Sequence, residues 1–393
     1  MSNVIRLGDY ITEISEKTTV NNQHMVLTSS QEGIVSQDDY FNKQVASKDN
    51  TGYKIIRRGQ FTYRAMSDTG RFYINRLTDY DIGIVSPAYP VFELRTNGQI
   101  LPEYLQEYFH SEHFQNAITL SSTGSTRVSL KLAKIADLRI DIPTLPKQQC
   151  AVQAISHVNH LISMQNSSAA KLDQLVKSRF VEMFGTYPNN PMKWETGRIR
   201  DIVADVRYGS SRPAVEGGKY SYLRMNNITY GGELDLSDTK HIDVPENELE
   251  KCIVRRGDVL FNRTNSKELV GKTCVYNRNE MMVLAGFIIR VRVTERVLPE
   301  FLSAFLNTDF SKQMLLGMCK AAIGQANINA QELQDIGLYL PPVELQHQFV
   351  HFKAEVDKSK FRIQKSLSTS RKLWTMAQID AIMNMDFSTQ RSL

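Results

Sequence analysis

Apolar and polar positions along this chain form a pattern that is written twice. Leu101, Tyr104, Leu105, Tyr108 and Phe109 fall at i, i+3, i+4, i+7 and i+8 and predict a short helix with one buried face. The same stripe returns as Leu298, Phe301, Leu302, Phe305 and Leu306. Pro102 and Pro299 stand in the first turn of each, where a missing N–H leaves nothing unsatisfied. Strand-like runs precede each stripe. Gln60-Phe61-Thr62-Tyr63 and Val91-Phe92-Glu93-Leu94 are matched by Asp258-Val259-Leu260-Phe261 and Phe287-Ile288-Ile289-Arg290-Val291. Gly59 and Gly257 stand just before a strand, where a turn needs a residue that tolerates positive φ. After each stripe, Ile140-Asp141-Ile142-Pro143 and Leu338-Tyr339-Leu340-Pro341 predict a strand stopped by proline.

Each proline is followed by a long helical pattern, about Lys147 to Phe184 and about Val343 to Met383. In the first, Ile155, Val158, Ile162, Ala169, Leu172, Val176 and Met183 fall on steps of three and four, interrupted by Gln165 and Arg179. Phe349, Phe352, Val356, Ile363, Leu373 and Ala377 do the same in the second, interrupted by Ser359, Ser366 and Ser370. At 1.5 Å per residue these are rods of roughly 50–60 Å. Seams this narrow call for a helical partner, and the natural partner of each rod is the other. Gly185 reads as a helix stop, and Tyr187-Pro188-Asn189-Asn190-Pro191 as a linker.

The repeat is also literal. Arg57-Arg58-Gly59 recurs as Arg255-Arg256-Gly257, 198 residues later, and Asp137, Pro143 and Gln148 recur at the same interval as Asp335, Pro341 and Gln346. Between these anchors the copies differ almost completely. A period this long marks a duplicated domain pair, not a solenoid. One scaffold carrying two unlike variable parts suggests a protein that reads two different things.

The predicted fold class is therefore α+β, with two duplicated domains of mixed strands and short helices. Each is followed by a long helix, and the two helices pair as an antiparallel coiled coil. The expected boundaries are residues 1–145 for the first domain, 146–186 for its helix, 187–342 for the second domain, 343–386 for its helix, and 387–393 for a loose polar tail.

Composition narrows the class without naming it. The chain has 393 residues, 41% hydrophobic and 23% charged, as expected of a soluble globular protein with two or three domains. A net charge of +5 permits a polyanionic partner without requiring one. Cys150, Cys252, Cys274 and Cys319 lie far apart and form no C-x-x-C pair, which argues against a zinc ribbon or disulfide framework and fits a reduced, cytoplasmic setting. The N-terminus lacks a signal pattern, and the longest apolar run, Met281 to Ile289, is too short for a bilayer span.

The arrangement resembles the specificity (S) subunit of type I restriction–modification enzymes. The residues that carry the likeness include Lys177-Ser178-Arg179-Phe180-Val181-Glu182-Met183-Phe184-Gly185, Ile82-Gly83-Ile84-Val85-Ser86-Pro87-Ala88-Tyr89 and Arg256-Gly257-Asp258-Val259-Leu260-Phe261-Asn262-Arg263. The Pro-x-x-x-x-Gln pattern that opens both rods belongs to it as well. The resemblance covers nearly the whole chain. It implies two target recognition domains, each reading one half of a bipartite, asymmetric site in double-stranded DNA, with the paired helices as spacer. It further implies a subunit with no catalytic site or cofactor of its own. Two modification subunits would bind S-adenosylmethionine and methylate adenine N6, and restriction subunits would add ATP- and Mg2+-dependent translocation and cleavage. No membrane role is implied.

The residues themselves offer little catalytic chemistry. Ser266-Lys267-Glu268-Leu269-Val270-Gly271-Lys272-Thr273 ends like a phosphate loop but has Ser266 where the motif needs glycine. The helical pairs His157/His160, His347/His351 and His110/His113 lack a nearby third metal ligand. DNA-contact candidates fall instead on loops. Asn262, Arg263, Thr264 and Asn265 follow a strand, and arginine and asparagine can pair bidentately with guanine and adenine. Arg207, Tyr208, Ser210, Ser211 and Arg212 form a basic, hydroxyl-rich loop hinged at Gly209, and Arg64, Ser67 and Arg71 flank the equivalent turn of the first copy. Two glycine loops complete the set, one with Ser125, Thr126 and Arg127, the other with Gln325 and Asn327. Phe180, Met183, Phe184, Trp374, Met376 and Ile382, at the ends of the rods, are candidates for docking the modification subunits, the alternative being burial against the recognition domains. A helical scaffold bridging two protein-binding modules, without DNA reading, remains the competing interpretation, and steep salt dependence of binding would separate the two.

Overall fold

The computed structural model describes residues 4–40, 49–95, 98–119, 128–265, 270–319 and 326–383, with side chains of the last helix described as far as Trp374. Contacts divide the chain into two units, Met1–Met164 with Ser366–Leu393, and Gln165–Lys365. Both divisions fall inside a long helix, Leu145–Phe184 and Val343–Met383. Each unit thus owns one β-rich domain and half of each rod. Expected domain edges at the helix starts follow the backbone, whereas the units follow packing.

A four-stranded sheet of the same strand pattern occurs in each unit. In the first unit the strand order is Ile11–Ile14, Val91–Leu94, Phe61–Thr62, Asn75–Arg76. The second unit repeats it as Val203–Tyr208, Ile288–Val293, Val259–Asn262, Thr273–Val275, again antiparallel throughout. The short amphipathic helices Pro102–His110 and Pro299–Leu306 are where the stripes predict them, with proline in the first turn. Their apolar faces enter the cores: Leu105, Tyr108 and Phe109 among Phe61 and Phe92, and Phe301, Leu302 and Phe305 among Val259 and Ile289. Gly59 and Gly257 both adopt φ of 91°, the left-handed turn expected before each central strand.

The units diverge in what is added to that sheet. The first carries two-stranded ribbons, Leu27–Ser30 with Gly33–Ser36 and Lys54–Arg57 with Ile82–Val85. The second carries a further four-stranded sheet containing a parallel pair, Tyr220–Leu223 with Met282–Leu284.

Within the second unit the long helices pair antiparallel. Phe180 and Phe184 meet Phe349 at 5.3 and 5.7 Å, Arg179 lies over the Phe352 ring at 5.8 Å, and Lys360 bonds Asp173 at 2.6 Å. One residue number rises as the other falls, as antiparallel rods require.

The proline–glutamine pattern has a structural cause. Gln148 is fully buried; its Oε1 accepts the Leu101 N–H at 2.8 Å, and its Nε2 donates to the carbonyls of Gln99 and Pro143 at 2.8 and 2.9 Å. Gln346, equally buried, repeats the set with Leu298 N–H at 2.8 Å and the carbonyls of Arg296 and Pro341 at 3.2 and 2.9 Å. Leu101 and Leu298 are the N-cap residues of the short amphipathic helices, so one amide joins the start of each rod to the start of the amphipathic helix of the same copy.

Two expected docking residues belong to this core instead. Phe180 and Phe184 are 1% and 0% exposed and pack with Phe301 and Phe349, and Met183 is half-buried against the same cluster. Four aromatic rings meeting at one point exclude a partner from that face. Trp374 is half-buried; the side chains of Met376 and Ile382 lie outside the described part.

Candidate nucleic-acid interface

In the second unit the central strand Val259–Asn262 runs on through Arg263 into the two-residue strand Thr264–Asn265, which pairs with Ala326–Asn327. Arg263 is pinned on both backbone sides: its N–H donates to the Phe287 carbonyl at 3.0 Å, and its carbonyl accepts the Ile328 N–H at 2.9 Å. Its guanidinium lies over the Tyr208 ring, 4.9 Å from the centroid, where a cation is held by the ring's negative face. Tyr208, the last residue of its strand, is anchored in turn, because its hydroxyl accepts the Ala330 N–H at 2.8 Å. Ala330 opens a short helix held by a capping box between Asn329 and Glu332. Beside these groups the Thr264 hydroxyl donates to Asn327 Oδ1 at 3.1 Å. Tyr208, Arg263, Thr264 and Asn327, drawn from three separate stretches of sequence, thus form one polar, aromatic patch.

Other candidates in this unit are already engaged. Asn262 is fully buried, its backbone N–H donating to the Lys272 carbonyl and its carbonyl accepting the Gly271 N–H, both at 2.8 Å, so its side chain is not offered at the surface. Ser210 is buried and accepts the Arg212 N–H at 3.2 Å, which likewise removes its hydroxyl from the surface. Arg212 makes a two-pronged pair with Glu248 at 3.0 and 2.8 Å, and Arg207 bonds Asp205 at 2.8 Å. Ser211 is exposed. Burial pushes the Asp205 carboxyl up, but bonds from Arg290 and Arg207 outweigh it and hold it below the ordinary carboxylate range. Arg290, 2% exposed, is the buried partner, bonded to Asp205 at 2.6 Å. For Asn265 only the backbone is described, and Gln325 lies outside the described residues.

The end of the phosphate-loop-like segment is structural. Lys272 is buried and donates to the Met225 carbonyl at 2.8 Å, and the buried Thr273 hydroxyl donates to the Gly271 carbonyl at 3.0 Å. Lys312 Nζ donates to the same Gly271 carbonyl at 2.6 Å. Burial, with Lys177 and Lys272 nearby, pushes the Lys312 ammonium down to about 7. His110 is also committed inside its unit: its ring bonds Asn75 at 2.9 Å, and burial lowers its pKa.

In the first unit the equivalent two-residue ladder is Met66–Ser67 with Val128–Ser129. It borders a cleft of about 540 Å³ that gathers Arg64, Ser67 and Arg71, the three residues expected from sequence. Arg71 is paired with Glu112 at 2.5 Å; Arg64 is exposed and 3.9 Å from Asp68. The opposite lining was not anticipated. Thr28, Ser29 and Ser30 come from the strand Leu27–Ser30, every residue of which is buried, and Tyr73 and Tyr89 add phenols. Three consecutive hydroxyls in a strand were the available signal. Ser125, Thr126 and Arg127 lie outside the described residues.

Comparison with known proteins places these features in context. Residues 191–370 match the family described as type I restriction modification DNA specificity domain. The chain is similar to the type I restriction enzyme EcoKI specificity subunit of Escherichia coli K12, 23% identical over 276 residues, covering 65% of this chain and 59% of that one. It is also similar to a putative type I restriction enzyme MjaX specificity subunit of Methanocaldococcus jannaschii, 25% identical over 186 residues, covering 46% and 44%. The matches span less than 60% of the length of these curated relatives. Among solved structures, one described as the structural basis of complex assembly and conformational transition of the type I R-M system aligns with a TM-score of 0.59, 17% identity and 97% of both chains. The type I restriction–modification S subunit of M. genitalium aligns with a TM-score of 0.50, 11% identity, and 97% and 96% of the two chains. At these identities the structural likeness is one of fold. Among the described residues no helix is long and apolar enough to cross a membrane.

Proposed function

We propose, from the match of residues 191–370 to the type I restriction modification DNA specificity domain family, that this chain is the DNA-reading subunit of a cytoplasmic type I restriction–modification enzyme. It carries no catalytic site. Each unit reads one half of a bipartite, asymmetric site, and the length of the unread gap is a property of the paired helices. Two modification subunits supply S-adenosylmethionine-dependent methylation of adenine N6. Restriction subunits, where they join, supply ATP- and Mg2+-dependent cleavage.

One observation carries this reading. The same sheet and the same short ladder occur twice, with matching backbone hydrogen bonds but unlike polar side chains mounted on them. Leu130 N–H bonds the Ala65 carbonyl at 2.9 Å in the first unit, and Ile328 N–H bonds the Arg263 carbonyl at 2.9 Å in the second. A scaffold kept constant while its display changes is what two different base sequences require.

The experiment is mapping of methylated adenine in cells that express the chain with its modification subunit. A bipartite motif with constant gap, lost on deletion of the chain, is expected. An active modification subunit whose motif does not depend on this chain would favour the scaffold interpretation instead.

A further inference from the structure

The two equivalent carbonyls, of Ala65 and Arg263, put one backbone position of the scaffold in both units. The first unit mounts a methyl group there and the second a guanidinium. We infer that Arg263, held over the Tyr208 ring, is a guanine-reading residue of the second unit, a role for which the first unit has no counterpart at the equivalent position. The inference deepens the DNA-reading function proposed above and rests on it.

Three features separate Arg263 from the other arginines near it. Arg207 and Arg212 each have a carboxylate partner, whereas Arg263 is in no ion pair among the described residues. In its half-buried site its positive charge faces the Tyr208 ring instead of a carboxylate, which leaves its donors open to an incoming acceptor. Its Nε is buried with no hydrogen-bond partner among the described residues. And its guanidinium carbon lies 4.9 Å from the centroid of the Tyr208 ring, which is itself fixed through the hydroxyl to Ala330 N–H. Guanine O6 and N7 are two adjacent acceptors in one plane, the pattern that a guanidinium fork matches bidentately. A phosphate would also accept from arginine, but a phosphate contact needs no aromatic platform. Stacking removes much of the rotamer freedom that a free arginine would lose on binding.

The test uses the full chain assembled with its modification subunits and a pool of duplexes randomised over both half-sites. Wild type is expected to select a G·C pair at one position of the half-site read by the second unit. Arg263→Ala should abolish selection at that pair, reducing discrimination about 5- to 150-fold, with the other half-site unchanged. Tyr208→Leu should weaken the same preference, and Tyr208→Phe, which keeps the ring but loses the bond to Ala330 N–H, should fall between. Arg263→Lys keeps the charge and stem but not the planar fork, so it must also lose the guanine preference and serves should the alanine variant fail to fold. Equal loss on every sequence, with a shallower salt dependence, would make Arg263 a phosphate contact and overturn the inference. So would an unchanged motif in Arg263→Lys. A wild-type complex without any sequence preference would instead overturn the DNA-reading function itself.

Discussion

Replacing Gln346 with methionine tests whether the proline–glutamine pattern is a structural clamp. The residue is 0% exposed, and its amide holds Leu298 N–H at 2.8 Å and the carbonyls of Pro341 and Arg296 at 2.9 and 3.2 Å. Methionine has similar length and volume, so cavity and transfer costs are small and the polar loss stands nearly alone. The Leu298 N–H, an N-cap donor with no intrahelical acceptor, is orphaned at about 1–3 kcal/mol. The two carbonyls each lose a bond worth about 0.5–1.5 kcal/mol. With partial relaxation the expected loss is about 3 kcal/mol, confined to the second unit. The chain contains two tryptophans, and Trp194, whose Nε1 donates to the Phe184 carbonyl at 3.3 Å, lies in that unit. In a Trp374→Phe background, its fluorescence follows the second unit alone. At a urea slope of roughly 2–3 kcal/mol/M, the midpoint should fall by about 1–1.5 M. The Leu298 amide should also lose hydrogen-exchange protection. A fall under about 0.3 M, with that amide still protected, would refute the clamp. So would a shift in the methylated motif without loss of stability, because a base or partner contact would then be the role.

Phe180→Ala should cost the isolated chain about 3–5 kcal/mol in the same urea assay, since the ring fills a fully buried aromatic cluster. If stability is untouched and only assembly with the modification subunit fails, Phe180 is a docking residue after all. Lys312 gives a pH test. Its pKa is pushed down to about 7 by burial and by Lys177 and Lys272, so the folded unit binds fewer protons than the unfolded chain between about pH 7 and the ordinary lysine value of 10.5. Its contribution to stability is therefore restored as pH rises through that window and is least favourable at pH 7 and below. Lys312→Met removes this dependence. Its melting temperature relative to wild type should be highest near pH 6.5 and decline towards pH 9.5; a constant difference would mean that the ammonium is not desolvated.

Local periodicity alone determined much of this protein. The stripes at Leu101–Phe109 and Leu298–Leu306 and the two rods were legible because a helix face is written within a short window, and the interval of 198 residues between anchors because a repeat shows when the chain is set against itself. The pattern also located the glycine turns at Gly59 and Gly257, whose φ of 91° only glycine adopts without cost. Gln148 and Gln346 were visible as a repeat, yet their bonds to a helix start nearly fifty positions away were not.

Tertiary structure decided the site. Arg207, Arg212, Asn262 and Arg263 look equally suited to DNA as a string of polar loop residues. Folding pairs the first two with Asp205 and Glu248, buries the third, and lays the fourth on Tyr208. Likewise Phe180 and Phe184 read as an apolar helix end open to any partner, until Phe301 and Phe349 close around them. The difference has one physical origin. Secondary structure follows from neighbours in sequence, whereas desolvation and charge pairing depend on groups brought close by sheet register and helix packing, which no short window of sequence contains.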